Sequence, residues 1–246
     1  MRVVVIAQAR MGSTRLQGKG LVDLVGKPLV ERVLERAVRS TLADEVVLAT
    51  TDLPTDDELA AYVAGLGFRV VRGSSDDVLD RYASAADKAA ADVIVRITCD
   101  CPFVEPALID EAVAAVTAGG VDYVTNTLLR TYPIGLDVEA FTRDALLVAH
   151  AEAVEPHERE HVTPFIYQRP TRFRLRNLAA PEWATHPEWR LTVDTAEDLE
   201  LARLLYAGLS DDFTLSEVVA LVKRDPSVLE TNSGVEHKHV AKPDTW

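Results

Sequence analysis

The chain has 246 residues, 48% of them apolar, enough for one large α/β domain with a substantial core. Its formal net charge of −13 excludes a broad basic face, so no nucleic-acid partner is expected. Cys99 and Cys101, the only cysteines, are too few for a zinc site and poorly spaced for a disulfide, and no leader or membrane-length apolar run is seen, so a soluble cytoplasmic protein is expected.

Val3-Val4-Val5-Ile6 has the continuous β-branched character of a parallel strand buried on both faces. The loop after it carries Arg10, Gly12, Ser13, Thr14, Arg15, Gly18 and Lys19. Phosphate oxygens are bound by this mixture of open N–H groups, short hydroxyls and cations, at the strand end where α/β sheets collect ligands. The alternative is a solvated connection. The loop is not a Walker A sequence, because Gly20 follows Lys19, and G-x-G-x-x-G is absent. Residues 21–25 read as a short strand, and Pro28 opens a helix to about residue 40. Residues 46–49 form a second strand, and the capping-box spacing of Thr55 and Glu58 opens a helix that Gly67 stops. Residues 68–71 form a third strand leading to Arg72, a helix begins at 76–82, and a fourth strand at 93–97 ends in T-C-D-C-P.

This alternation argues for right-handed βαβ units and a Rossmann-like, mostly parallel α/β sheet. The rhythm changes after Gly119-Gly120. Short strands at 122–126 and 136–139, helices at 142–154 and 156–168, and a strand at 172–176 make 122–190 read as an inserted subdomain over the ligand site. The chain rejoins the sheet near 189–194 and closes with helices capped at Thr195 and Thr214. A single domain over 1–226 with a polar, loosely ordered tail over 227–246 is expected.

Asp100 ends the fourth strand, with Pro102 stopping the ladder, and Asp194 stands between a strand and a capped helix. Each has a capping alternative, although Thr195 already supplies the second cap. Asp198, one turn on, reads as electrostatic or structural. Asp77 and Arg81 read as an (i, i+4) helix ion pair. Asp137, Glu139 and His161 lie in the insertion, and His157, His237 and His239 carry weaker claims.

The stretch A-R-M-G-S-T-R-L-Q-G-K, from Ala9 to Lys19, resembles the signature loop of the sugar-acid cytidylyltransferases, the group of CMP-KDO synthetase and acylneuraminate cytidylyltransferase. Within that group it looks most like the spore coat polysaccharide biosynthesis protein F type, with Gln17 replacing a usual Pro and Gly20 an apolar residue. T-C-D-C-P resembles the family's T-G-D-x-P with Cys99 for Gly, V-D-T-A-E-D-L its V-D-T-x-x-D-L, and R-G-S-S-D-D-V-L-D-R-Y a further segment. The resemblance runs from Val3 to about Pro226. It implies the nucleotide-diphospho-sugar transferase fold and CTP binding by Ala9, Arg10, Gly12, Ser13, Arg15, Lys19, Arg72 and Asp100. It further implies Mg2+ on Asp100 and Asp194, and catalysis by Arg10, Lys19, Asp100 and Asp194. Asp137, Glu139 and His161 would frame a small acidic acceptor, a nonulosonic or similar sugar acid for a surface polysaccharide. Related enzymes pair through the insertion, where Tyr132, Leu136, Phe165 and Tyr167 read as surplus apolar surface, so a homodimer is expected. A non-sugar acceptor such as a phosphonate, and a non-catalytic nucleotide-binding relative, are the two other readings.

Overall fold

The computed structural model describes residues 1–236. Seven strands form one sheet in the order β3-β2-β1-β4-β6-β5-β7. They are β1 (Val3–Gln8), β2 (Glu45–Thr51), β3 (Arg69–Gly73), β4 (Val93–Thr98), β5 (Tyr123–Thr125), β6 (Glu139–Thr142) and β7 (Leu175–Asn177). β3, β2, β1 and β4 are mutually parallel, β6 runs antiparallel to β4 and β5, and β7 is parallel to β5. Among the described residues no helix is long and apolar enough to cross a membrane.

The unbroken apolar runs of β1, β2 and β4 follow from burial on both faces. Val3, Val5, Ala7, Leu48, Val95 and Ile97 pack into one layer, beneath α1 (Leu29–Ala37) and α4 (Pro106–Thr117). Val4, Ile6, Val47, Ala49 and Ile94 face the other layer, with α3 (Val78–Lys88) and α5 (Arg143–Glu152). α2 (Asp57–Gly65) leads into β3, while α6 (Pro156–His161) and α7 (Pro164–Tyr167) follow α5. The last helices are α8 (Ala196–Ala207) and α9 (Leu215–Arg224). α8 carries a full capping box from Thr195 and Asp198, and α9 one from Thr214 and Glu217.

Several expectations change at the level of elements. Residues 21–25 are not a strand: Lys19–Leu21 is a single 3-10 turn, and the left-handed Val25 and Gly26 turn the chain so that only Asp23 bridges Pro28. Thr55 caps nothing. A 3-10 turn, Pro54–Asp56, precedes α2 instead. The helix expected over 156–168 is broken before Pro164, which cannot donate to a continuing helix and opens α7 instead. Val162, at φ 73°, makes the corner.

The segment 122–190 is not a separate layer over the sheet, because β5, β6 and β7 extend the sheet itself. Tyr132, Leu136, Phe165 and Tyr167 are buried within the chain, so they are not surplus surface. Residues 189–194 join by one isolated bridge, Ile134 to Arg190, rather than as a strand. Part of the tail is structured: Pro226–Asn232 forms a 3-10 turn whose buried Asn232 donates to Asp198 Oδ1 at 2.8 Å. His237 and His239 lie outside the described residues.

Candidate active site

The loop after β1 is fixed at its start. Met11 N–H donates to Asp56 Oδ1 at 2.8 Å, while Thr50, Thr51 and the Thr51 N–H bind the other oxygen. Burial pushes the Asp56 carboxyl up, but these hydrogen bonds outweigh it and hold the group below the usual carboxylate range. Further along, Gly18 adopts φ 67°, a left-handed conformation that favours glycine, and starts the 3-10 turn that aims Lys19 inward.

Lys19 joins the two carboxylates expected to work together. Its Nζ donates to Asp100 Oδ2 and to Asp194 Oδ1, both at 2.9 Å. Asp100 follows β4, and its Oδ1 accepts from the Thr98 hydroxyl at 2.5 Å. Burial pushes Asp100 up, yet Lys19 and the Thr98 hydrogen bond hold its carboxyl down at about 2. Burial works against the Lys19 charge too, but Asp100 and Asp194 together raise its pKa above the ordinary range. The ammonium is therefore charged at any pH the protein meets.

Asp194 is also held from behind. Arg15 approaches its Oδ1 at 3.2 Å, and Arg190 Nη2 donates to Oδ2 at 2.9 Å. Arg190 in turn grips Asp198 through Nε and Nη2, both at 2.9 Å, and Asp198 accepts the Asp194 N–H at 3.0 Å. Asp198 is thus a buried brace for the loop carrying Asp194, the structural one of the two parts expected for it.

A cavity of about 920 Å³ opens above this centre, with Ala9, Arg10, Gly12, Ser13, Arg15, Lys19, Asp100 and Asp194 in its wall. A second cavity of about 330 Å³ shares Thr98, Asp100, His161 and Asp194 with it and adds Asp137 and Glu139. In that second cavity the carboxylates are already engaged. Asp137 takes a two-pronged bond from Arg130 at 2.6 and 2.8 Å, and Glu139 accepts from Tyr123, Thr163 and Arg96. Burial lowers the His161 pKa, which favours the neutral ring at neutral pH.

Arg72 is the expected nucleotide contact that lines neither cavity. Its guanidinium is spent on Thr51 O, Leu53 O and Asp57. The expected Asp77–Arg81 helix pair is likewise not formed. Asp77 is the N-cap of α3, with a non-helical backbone and its side chain turned to Asp80 N–H. Its free lone pairs go to Arg159 of α6, at 3.1 and 3.0 Å from Nε. Asp56, Arg159 and Arg190 were not singled out from the sequence: Arg159 meets a partner 82 residues away, whereas the spacing of Arg190 to Asp194 and Asp198 was a local signal that could have found it.

The donor set fits a divalent cation. Two carboxylates present oxygens to one positive centre at 2.9 Å, and a small hard cation takes one or two carboxylates and fills its other positions with water and phosphate oxygens. Among the described residues no cluster of three His, Cys, Asp or Glu side chains is placed to hold a metal. Phosphate and water oxygens would therefore complete the coordination.

A family model described as Cytidylyltransferase matches residues 4–221. The chain is 39% identical over 231 residues to the spore coat polysaccharide biosynthesis protein SpsF of Bacillus subtilis (strain 168), covering 91% of this chain and 95% of that protein. A cytidylyltransferase structure from Leptospira borgpetersenii serovar Hardjo-bovis superposes with a TM-score of 0.90 at 32% identity, covering 96% of this chain and 100% of that one. The fold is shared with CMP:2-keto-3-deoxy-manno-octonic acid synthetase in complex with CTP, with a TM-score of 0.66 at 23% identity over 85% and 99% of the two chains.

Proposed function

The chain belongs to the cytidylyltransferase family, and from that premise we propose that it transfers CMP from CTP, with Mg2+, to a small sugar acid destined for a surface polysaccharide, releasing pyrophosphate. The observation that carries this reading is the meeting of Lys19, Asp100 and Asp194 at one point beneath a donor-rich loop. In such a transfer an acceptor oxygen forms a bond to the α-phosphorus as the bond to the pyrophosphate oxygen breaks. Its rate comes from positioning and charge neutralisation rather than covalent catalysis.

Arg10, Ser13 and the loop N–H groups take phosphate oxygens in the large cavity. Arg15 and Lys19 balance the charge that builds on the leaving pyrophosphate. Asp100 and Asp194 would hold Mg2+, with Arg190 and Asp198 keeping the Asp194 loop in place. When bound there, the ion supplies triphosphate charge neutralisation and Lewis-acid polarisation. The smaller cavity, bordered by Asp137, Glu139 and His161 and sharing both carboxylates, is where the acceptor brings its oxygen to the nucleotide. A two-fold homodimer, in the cytoplasm, belongs to the same reading; exposed Leu129, Leu147 and Val154 on the segment after β5 support the pairing.

Pyrophosphate release from CTP, ATP, GTP and UTP, each with a panel of sugar acids and phosphonates, tests the reading. The expected result is release from CTP with a sugar acid. Release with a phosphonate alone would replace the acceptor class. ATP binding at least as tight as CTP binding would remove the cytidylyl assignment and leave the fold intact.

A further inference from the structure

Arg81 is 2% exposed, yet among the described residues no carboxylate pairs with it, and it lines the large cavity. Its only side-chain hydrogen bond among those residues runs from Nη1 to Ser74 O. On the other edge of the guanidinium, Nε is buried without a partner, and among the described residues none accepts from Nη2. That edge is a two-donor fork. Arg190 uses the same pair of atoms to grip Asp198. The fold makes room for Arg81, because a Cβ on Gly73 would lie 3.0 Å from Arg81 Cγ, tighter than ordinary contact. Burial and the nearby Arg10 depress the pKa of this guanidinium, outweighing the support it draws from Tyr82, Asp56 and Asp52, so holding its charge there is costly. A ligand acceptor would offset that cost.

The sheet order shows which part of a nucleotide would meet this fork. Lys19, Asp100 and Asp194 gather at the end of β4, whereas Gly73 and the start of α3 stand at the end of β3. Three strand spacings, about 14 Å, separate β3 from β4. A nucleotide whose phosphates lie at the β4 end therefore places its base toward the β3 end. Resting on the cytidylyl reading above, we propose that the Nε/Nη2 edge of Arg81 reads the base, donating to the adjacent O2 and N3 acceptors of cytosine. The logic is that of arginine on paired acceptors of a base edge. Uracil carries N–H at position 3, which would oppose one of the two donors, so the fork selects cytosine over uracil. Arg81 thereby takes the part that the sequence suggested for Arg72.

Calorimetric titration of the full chain with CTP and with UTP, in Mg2+, tests this in the wild type, Arg81→Gln and Arg81→Lys. The expected result is a wild-type preference for CTP that falls at least ~10-fold in both variants, mainly through weaker CTP binding. Lysine retains the charge but loses the fork, so it does not rescue. Melting of the ligand-free protein is the second readout. Removing a buried charge without a partner leaves the Tm unchanged or raises it, while the Tm gain on adding CTP shrinks. A CTP-to-UTP ratio that survives in either variant overturns the inference, as does a lowered ligand-free Tm with equal loss of both nucleotides. Wild-type protein that binds ATP more tightly than CTP removes the cytidylyl reading and this inference with it. A wild-type CTP preference that persists in Arg81→Gln removes the inference alone.

Discussion

At the scale of single residues, charge balance distinguishes the working carboxylates from the bracing ones. Asp100→Asn or Asp194→Asn keeps the size of the side chain and removes a charge that faces Lys19 at 2.9 Å. Turnover at saturating CTP and Mg2+ is expected to fall at least ~10²-fold in each, the scale of losing one preorganised electrostatic contact. The two losses should be strongly non-additive, because either change dismantles the shared centre. Near-normal turnover in Asp194→Asn would take that residue out of the metal site. Asp56 acts differently, since it touches the loop only through Met11 N–H and Thr hydroxyls on β2. Asp56→Asn is expected to cost about 1–3 kcal/mol of stability at neutral pH by leaving buried donors unpaired. The Asp56 pKa is depressed on folding, so its contribution is complete above the unfolded carboxyl value of about 4 and is lost as pH falls through the folded value. Denaturant titrations of wild type and Asp56→Asn should therefore differ most at neutral pH and converge in acid.

At the scale of elements, α3 and α6 form the mouth of the large cavity and are clasped by Asp77 and Arg159. Asp77 does two jobs that substitution can separate. Asp77→Asn retains an N-cap acceptor for Asp80 N–H and gives up the charged clasp, a change of ~0.5–1 kcal/mol for a partly exposed pair. Asp77→Ala loses both, adding about 1 kcal/mol. An Asp77/Arg159 double-mutant cycle by urea unfolding should return a coupling in the first range, and zero coupling would show that the clasp adds nothing. The legibility of these elements was uneven. The strand at 68–71 and a helix beginning at 76–82 could be read from the sequence, because both are local, whereas the N-cap role of Asp77 was mistaken for a helix ion pair. Which partner Asp77 took could not be read, because Arg159 is 82 residues away and nothing in its own surroundings marks it.

At the scale of the whole molecule, one sheet joins the nucleotide half to the segment after residue 122. Glu139 at the start of β6 pairs in register with Arg96 on β4, and both residues border the smaller cavity. The aromatic residues expected at a dimer contact are instead core. Val154 at 81% exposed and Leu129 at 56% are the most exposed large apolar side chains between residues 122 and 190, where Leu147 and Trp183 are exposed as well. Multi-angle light scattering at micromolar concentration is expected to report about twice the chain mass of 26.9 kDa. An active monomer of single-chain mass would refute the pairing.

Local patterning determined the parallel half of the sheet, the phosphate-facing loop and the two capped helices after Asp194. Each depends on contiguous residues: a β-branched run, a glycine-bearing turn, a hydroxyl three positions before an acid. The convergence of Lys19, Asp100 and Asp194 was legible only because three motif segments resembled one family. No spacing along the chain relates positions 19, 100 and 194. Tertiary structure alone decided the rest. It spent Arg72 on two carbonyls and Asp57, gave Asp77 to Arg159, and left Arg81 buried with its Nε unpaired among the described residues. A side chain's charge is written in the sequence, but whether that charge is already neutralised depends on which distant groups the fold brings within about 4 Å.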